Sequence, residues 1–309
     1  MVKNIILDCD PGHDDAIAIL LAGQKNYFNL LGITTVSGNQ TIEKTTQNAI
    51  NLVEFLKIDV PIAMGSSEPL VKERQICSEI HGESGLDGFT FPKYDKKPES
   101  LNAIELIIKL TLNNEHVTVI TTGPMTNLAL ALKAKPEIKK HIDEIIFMGG
   151  SVTSGNVTPA AEFNVFCDPE ATHIALTSGI PIKMVGLNVT RKVLTSKDVV
   201  NRMAKIGNRA SDLFVKLMEV FNQNQAKVFS NFIGGPLHDP VTIASLIDNN
   251  LVKWQKMNVT IDLSHGSSYG RTNCDAPDYL HLPHNCEVAM DIDVDRFWDI
   301  IEEGIRYYE

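Results

Sequence analysis

Long hydrophobic runs are what this sequence most plainly lacks. The N-terminal MVKNIILDCDPG offers an apolar run of only three residues before Asp8. That is too short for the core of a secretion signal, and no later stretch reaches the roughly 18 apolar residues of a membrane-crossing helix. The expectation is a soluble, cytoplasmic protein with no membrane contact. Cysteine pairs at metal-binding spacing are also missing: Cys9, Cys77, Cys167, Cys274 and Cys286 form no CxxC and are odd in number. They read as reduced thiols and argue against a zinc site. An excess of positive charge is absent, with 28 Lys and Arg against 38 Asp and Glu, a net charge of −10 and a pI near 5.4. Nucleic-acid binding needs clustered Lys and Arg, so no nucleic-acid partner is expected, whereas a neutral small molecule or a cation is compatible. Repeats, low-complexity tracts and linkers are lacking too. The 309 residues, 43% of them hydrophobic, read as one domain over 1–309 whose core needs no disulfide support.

What is present is an alternation of β-rich runs with amphipathic segments. Strands are expected at Ile5–Leu7, Leu30–Val36, Val60–Ala63, Val117–Thr121, Ile145–Met148 and Ile182–Val185. Helices fit at Asp14–Lys25, Thr41–Lys57, 101–113, 124–134 and 168–178. This order predicts an α/β fold, an open and mostly parallel sheet with helices on both faces. After about residue 190 the alternation weakens into a C-terminal α/β elaboration. Two helices are expected at 196–222, a buried one at 238–248, strands near 257–263 and 287–293, and a closing helix from 295. The apolar-poor stretch 65–100 reads as an active-site loop. In open α/β sheets ligands sit at the carboxyl ends of strands, so the polar residues following each strand are the candidates.

The first strand runs into Asp8-Cys9-Asp10-Pro11-Gly12-His13-Asp14-Asp15, four carboxylates in eight residues. Asp14 or Asp15 could cap the following helix, but a cap needs only one. Two like charges about 4 Å apart repel by roughly 4 kcal/mol at an effective dielectric of 20, so a packed cluster calls for a cation. Carboxylate oxygens without thiolates or paired histidines select calcium or magnesium, and the spacing is not that of an EF-hand. Small residues follow other strands, in Ser37-Gly38-Asn39, Thr121-Thr122-Gly123-Pro124 and Met148-Gly149-Gly150. There backbone can approach a ligand closely, although each is also an ordinary turn. Glu162 and Asn164 are two apart; in an extended segment they would point the same way, and an acceptor beside an amide can grip adjacent sugar hydroxyls, with a solvated loop as the other reading. His238-Asp239-Pro240 adds a histidine beside a further carboxylate, a combination suited to proton donation.

Together these segments resemble the nucleoside hydrolase family over essentially the whole chain. The resemblance rests on DCDPGHDDA at 8–16, SGNQT at 37–41, HGESGLDG at 81–88, TTGPMTN at 121–127, MGG at 148–150, NVTPAAEFN at 156–164 with DPEA at 168–171, and GGPLHDP at 234–240. It implies the nucleoside hydrolase fold and calcium held by Asp10, Asp15, the Thr122 carbonyl and Asp239. Asp10 would be the general base toward water. Asp14, Asn164 and Asp239 would bind the ribose diol, and Asn156 and Glu162 its 5′ side, with Asn39 and the Met148 backbone supporting the pocket. His81 and His238 would face the nucleobase, His238 assisting its departure. A homotetramer or homodimer is implied as well.

The details resemble the pyrimidine-preferring branch, which reads the base with a Gln and a Tyr four residues later. Gln225 fills the first position and Phe229 the second, so a stacking ring remains but the hydroxyl is gone. The expectation is a ribonucleoside hydrolase that prefers uridine and cytidine, with a broad inosine–uridine enzyme as the alternative. Two rivals come from other classes. An aspartyl-phosphate phosphatase would share Asp8-Cys9-Asp10, but Pro11-Gly12-His13-Asp14-Asp15 does not supply its remaining groups. A non-catalytic ribose binder would have no need of Asp10, Asp239 and His238 together. The 65–100 and 222–233 segments are expected to close over the base.

Overall fold

A computed structural model describes residues 2–228 and 232–308. In chain order the elements are β1 (Lys3–Cys9), α1 (His13–Ala22), β2 (Phe28–Thr35), α2 (Ile42–Leu56), β3 (Ile62–Met64), α3 (Ser78–His81), α4 (Ala103–Leu112), β4 (Val117–Thr121), α5 (Thr126–Ala134), β5 (Ile142–Met148), α6 (Phe163–Cys167), α7 (Pro169–Leu176), β6 (Ile182–Val185), α8 (Leu187–Thr190), α9 (Lys197–Ala204), α10 (Arg209–Val228), α11 (Pro240–Ile247), β7 (Val252–Met257), β8 (Val259–Ile261), β9 (Thr272–Cys274), β10 (Cys286–Ile292) and α12 (Val294–Arg306). The eight-stranded sheet has the order β3-β2-β1-β4-β5-β6-β10-β7. Every neighbouring pair is parallel except β10 with β7. The expected α/β architecture is therefore the one observed.

The alternation of side chains along β1 fills both faces of the sheet. Ile5, Leu7 and Cys9 enter one hydrophobic cluster with α1 and α2, while Ile6 joins another with Val117, Val119 and Leu128. A central parallel strand covered on both faces has no room for polar alternation, and Ile5 through Cys9 are all buried. Helix α1 is an extreme case, for all ten of its residues are buried. It is wedged between β1 and the helices α2, α11 and α12. The chain leaves β1 toward β2 and β3, then returns to β4 on the opposite side. The gap between β1 and β4 is thus a topological switch point, where a crevice opens beyond the strand ends.

Some expectations of the C-terminal part need correction. The run expected near 257–263 is split: β7 starts earlier and belongs to the main sheet, while β8 leaves it to pair with β9. Helix α10 continues to Val228 rather than stopping at 222. The 65–100 stretch is not wholly irregular, since it carries α3.

Candidate active site

Four carboxylates meet at the switch point because two elements begin there. Asp10 follows the end of β1, Asp14 and Asp15 fall in the first turn of α1, and Asp239 directly precedes α11. Neither Asp14 nor Asp15 is the cap of α1: Gly12 holds that position, and its N–H donates to Asp15 Oδ2 at 3.0 Å. With the helix starting at His13, Asp14 and Asp15 fall at its second and third positions, from where Asp15 still serves the helix start by accepting the Gly12 N–H. Carboxyl oxygens of Asp14, Asp15 and Asp239 all lie within 4.8 Å of one another. Asp15 also accepts from Thr122 Oγ1 at 2.7 Å and from Asn39 Nδ2 at 3.1 Å. Asp10 stands beside this trio, with Oδ2 accepting the Asn39 N–H at 2.7 Å and Oδ1 buried without a partner. Asp14 Oδ1 is likewise buried and unpartnered.

Burial and mutual repulsion resist charging this group. Desolvation, then Asp15, pushes Asp14 up to about 7 from 3.8. Desolvation with Asp15 drives Asp10 well above the carboxylate range, and desolvation with Asp14 does the same to Asp239. Burial also raises Asp15, against opposing hydrogen bonds from Gly12 and Thr122. Two orphaned carboxylate oxygens and a crowd of unneutralised acids fit a hard cation, and the all-oxygen donor set agrees. Thr122, whose hydroxyl reaches Asp15, has its carbonyl accepting from Asn164 Nδ2 at 2.7 Å.

Behind the group, Asp8 is buried and accepts from Thr34 Oγ1 at 2.6 Å and Asn127 Nδ2 at 2.8 Å. Desolvation lifts it to about 7 despite both bonds. Two glycines flank the Asp10 carboxylate. A Cβ on Gly38 would strike Asp10 Oδ2, and one on Gly123 would lie 2.6 Å from Oδ1. The small residues after β2 and β4 therefore make room for a side chain of the protein itself.

Above this floor opens a cavity of about 660 Å³. Its lining includes Asp14, Asn39, His81, Thr122, Met148, Asn156, Glu162, Asn164, Gln225, His238 and Asp239. Asp10 and Asp15 are fully buried just beneath. Phe229 lies outside the described residues. Glu162 and Asn164 do line the wall, but not as an extended pair. Glu162 caps α6, and its carboxylate accepts the backbone N–H groups of Asn164 (2.9 Å), Gly150 (2.9 Å) and Val165 (3.2 Å). The helix wins because the Asn164 and Val165 N–H groups at its N-terminus need an acceptor. Asn164 is left to donate to the Thr122 and Met148 carbonyls, while Asn156 Oδ1 accepts from Phe163 N at 2.9 Å.

The opposite wall carries the histidines. His81 Nδ1 accepts the His13 N–H at 3.2 Å, and its ring stacks on His13 beside Phe221. His238 Nδ1 lies 2.6 Å from Thr190 Oγ1. Burial, with Arg191 as a lesser contributor, lowers His238 to about 3, so the ring is neutral. Gln225, on the cavity face of α10, is 5% exposed and its Oε1 has no partner among the described residues. Ile76, Val157, Val228 and Ile233 form an exposed apolar rim. Phe221 was readable from sequence as one helical turn before Gln225, whereas Thr190 and Arg191 lie in no polar motif and only the tertiary fold brings them here.

Known proteins resemble this chain over nearly its whole length. The family described as inosine-uridine preferring nucleoside hydrolase matches residues 5–299. The pyrimidine-specific ribonucleoside hydrolase RihB of Escherichia coli (strain K12) is 42% identical over 309 residues, covering 99% of this chain and 98% of that protein. Among solved structures, a purine-preferring ribonucleoside hydrolase from Gardnerella vaginalis superposes with a TM-score of 0.92 at 30% identity, covering 99% of both chains. A plant nucleoside hydrolase gives 0.92 at 29% identity, also with 99% coverage of each.

Proposed function

Because this chain belongs to the inosine-uridine preferring nucleoside hydrolase family, enzymes that hydrolyse N-glycosyl bonds, we propose that it cleaves uridine and cytidine in preference to inosine and uses calcium. The observation that carries the reading is the set of buried, mutually repelling carboxylates at the floor of a cavity of about 660 Å³. Preference for pyrimidines rests on the 42% identity to RihB and on Gln225, whose buried, unpartnered amide oxygen can accept from a base. The purine-preferring Gardnerella relative is less similar, at 30%.

Asp10, Asp15, the Thr122 carbonyl and Asp239 are the proposed ligands, with Asp14 close enough to Asp15 and Asp239 to share the site. When bound, calcium would orient the ribose diol and make the attacking water more acidic. Asp10 is held by Asn39 on one oxygen and has the other free, which suits it to take a proton from water. Asp14, Asn164 and Asp239 hold the ribose hydroxyls. Asn156 and Glu162 shape the 5′ side, Glu162 by fixing the backbone of Gly150 and Asn164. Carboxylates around the sugar favour the oxocarbenium-like charge that develops as the bond to the base breaks. His81 and His238 face the base. A homotetramer is the proposed assembly.

The test is base release from uridine, cytidine, inosine and 2′-deoxyuridine, with and without chelator. The expected result is release from uridine and cytidine, little from the deoxy sugar, and loss on chelation. In parallel, Asp10→Asn should lower turnover by about 10²–10⁴-fold. Near-normal turnover by that variant would remove Asp10 as the base, and faster inosine cleavage would transfer the chain to the broad-specificity reading.

A further inference from the structure

Thr190 has no place in the chemistry described so far, yet it makes the one hydrogen bond given to the ring of His238 among the described residues. Its Oγ1 lies 2.6 Å from His238 Nδ1, a short contact between a hydroxyl and an imidazole nitrogen. Either atom can be the donor, and the surroundings decide between them. Thr190 is 0% exposed, so no solvent reaches its hydroxyl. It ends α8, where its own N–H donates to the Gly186 carbonyl at 3.2 Å. Among the described residues its hydroxyl has no acceptor other than His238 Nδ1. Were Nδ1 to carry the proton, the hydroxyl hydrogen would be buried without an acceptor. The same objection applies to a doubly protonated ring, in which both nitrogens are donors.

We infer that Thr190 is a positioning residue that donates to His238 Nδ1 and thereby fixes the neutral tautomer with its proton on Nε2. The consequence, which rests on the nucleoside hydrolase reading above, is that His238 presents an N–H donor to the departing base instead of a lone pair. A lone pair would repel the electrons that collect on the base as the bond from C1′ breaks. Fixing the tautomer through the second ring nitrogen is a general way of preparing a histidine for its task.

The experiment compares wild type, Thr190→Val and Thr190→Ser on uridine and on 4-nitrophenyl β-ribofuranoside, whose leaving group departs without help. With uridine, T190V should lose about 10- to 100-fold in kcat, with KM little changed, and T190S should restore most of it. With the nitrophenyl riboside all three should be alike. A purely structural role would depress both substrates equally and would overturn the inference. Independently, ¹⁵N spectra of histidine-labelled protein, with the His238 signals assigned by their loss in His238→Gln, should show Nδ1 unprotonated and Nε2 protonated in wild type. Nδ1 protonated would also overturn it. If wild type cleaved no nucleoside, the proposed function would fail while the spectrum still decided the tautomer.

Discussion

Replacing Glu162 by Gln separates two roles that the sequence cannot tell apart, sugar ligand and backbone organiser. One carboxylate oxygen accepts from Asn164 N, and the other from both Gly150 N and Val165 N. A glutamine must turn its NH₂ toward one of these sets, and the smaller loss is the Asn164 bond. One buried N–H is then orphaned, at about 1–3 kcal/mol. The other two bonds pass from a charged to a neutral acceptor, at about 0.5 kcal/mol each. The total is about 2–4 kcal/mol. With about 2.1 cal/mol/K of unfolding entropy per residue, 309 residues give about 0.65 kcal/mol/K, so the midpoint should fall by about 3–6 °C. Differential scanning calorimetry of both proteins at one pH and one calcium concentration measures this. An unchanged midpoint together with a raised KM would refute the reasoning, because the carboxylate would then be free to serve the substrate.

Two further predictions concern the acidic floor. Asp14 is raised in the folded state to about 7 from 3.8, so its contribution to stability is present at low pH and is lost as pH rises through about 7. Chelated protein should therefore melt at a lower temperature at pH 8 than at pH 6, and saturating calcium should narrow or reverse the difference; a chelated protein more stable at pH 8 would contradict the electrostatics. Gly123→Ala places a Cβ 2.6 Å from Asp10 Oδ1 and should weaken calcium binding and lower kcat/KM by at least about tenfold; wild-type titration and kinetics would show that the carboxylate has room to move.

The sheet was legible because its strands are short apolar runs separated by helices of the right period, and Val117–Thr121 and Ile182–Val185 fall where their patterns place them. The C-terminal region was less legible. Strand β7, with Lys253, Gln255 and Lys256 exposed in Val252–Met257, lies at a sheet edge and carries no continuous apolar signal. The floor could be anticipated from like charges crowded into one turn. The state of Glu162 could not, since it depends on a short helix, α6, whose existence is settled by the donors it must satisfy. The Asp14–Asp15–Asp239 proximity and the Thr190–His238 contact join residues 225 and 48 positions apart, beyond any local pattern.

The complete burial of α1 separates what evolution can alter from what it cannot. The acidic turn is welded to a helix with no free face, so a substitution there disturbs the core and the chemistry together. The rim, by contrast, is made of Ile76, Val157, Val228 and Ile233, all exposed. Changes there leave the floor untouched. A scaffold partitioned in this way lets the mouth of the cavity change while its acidic floor stays fixed.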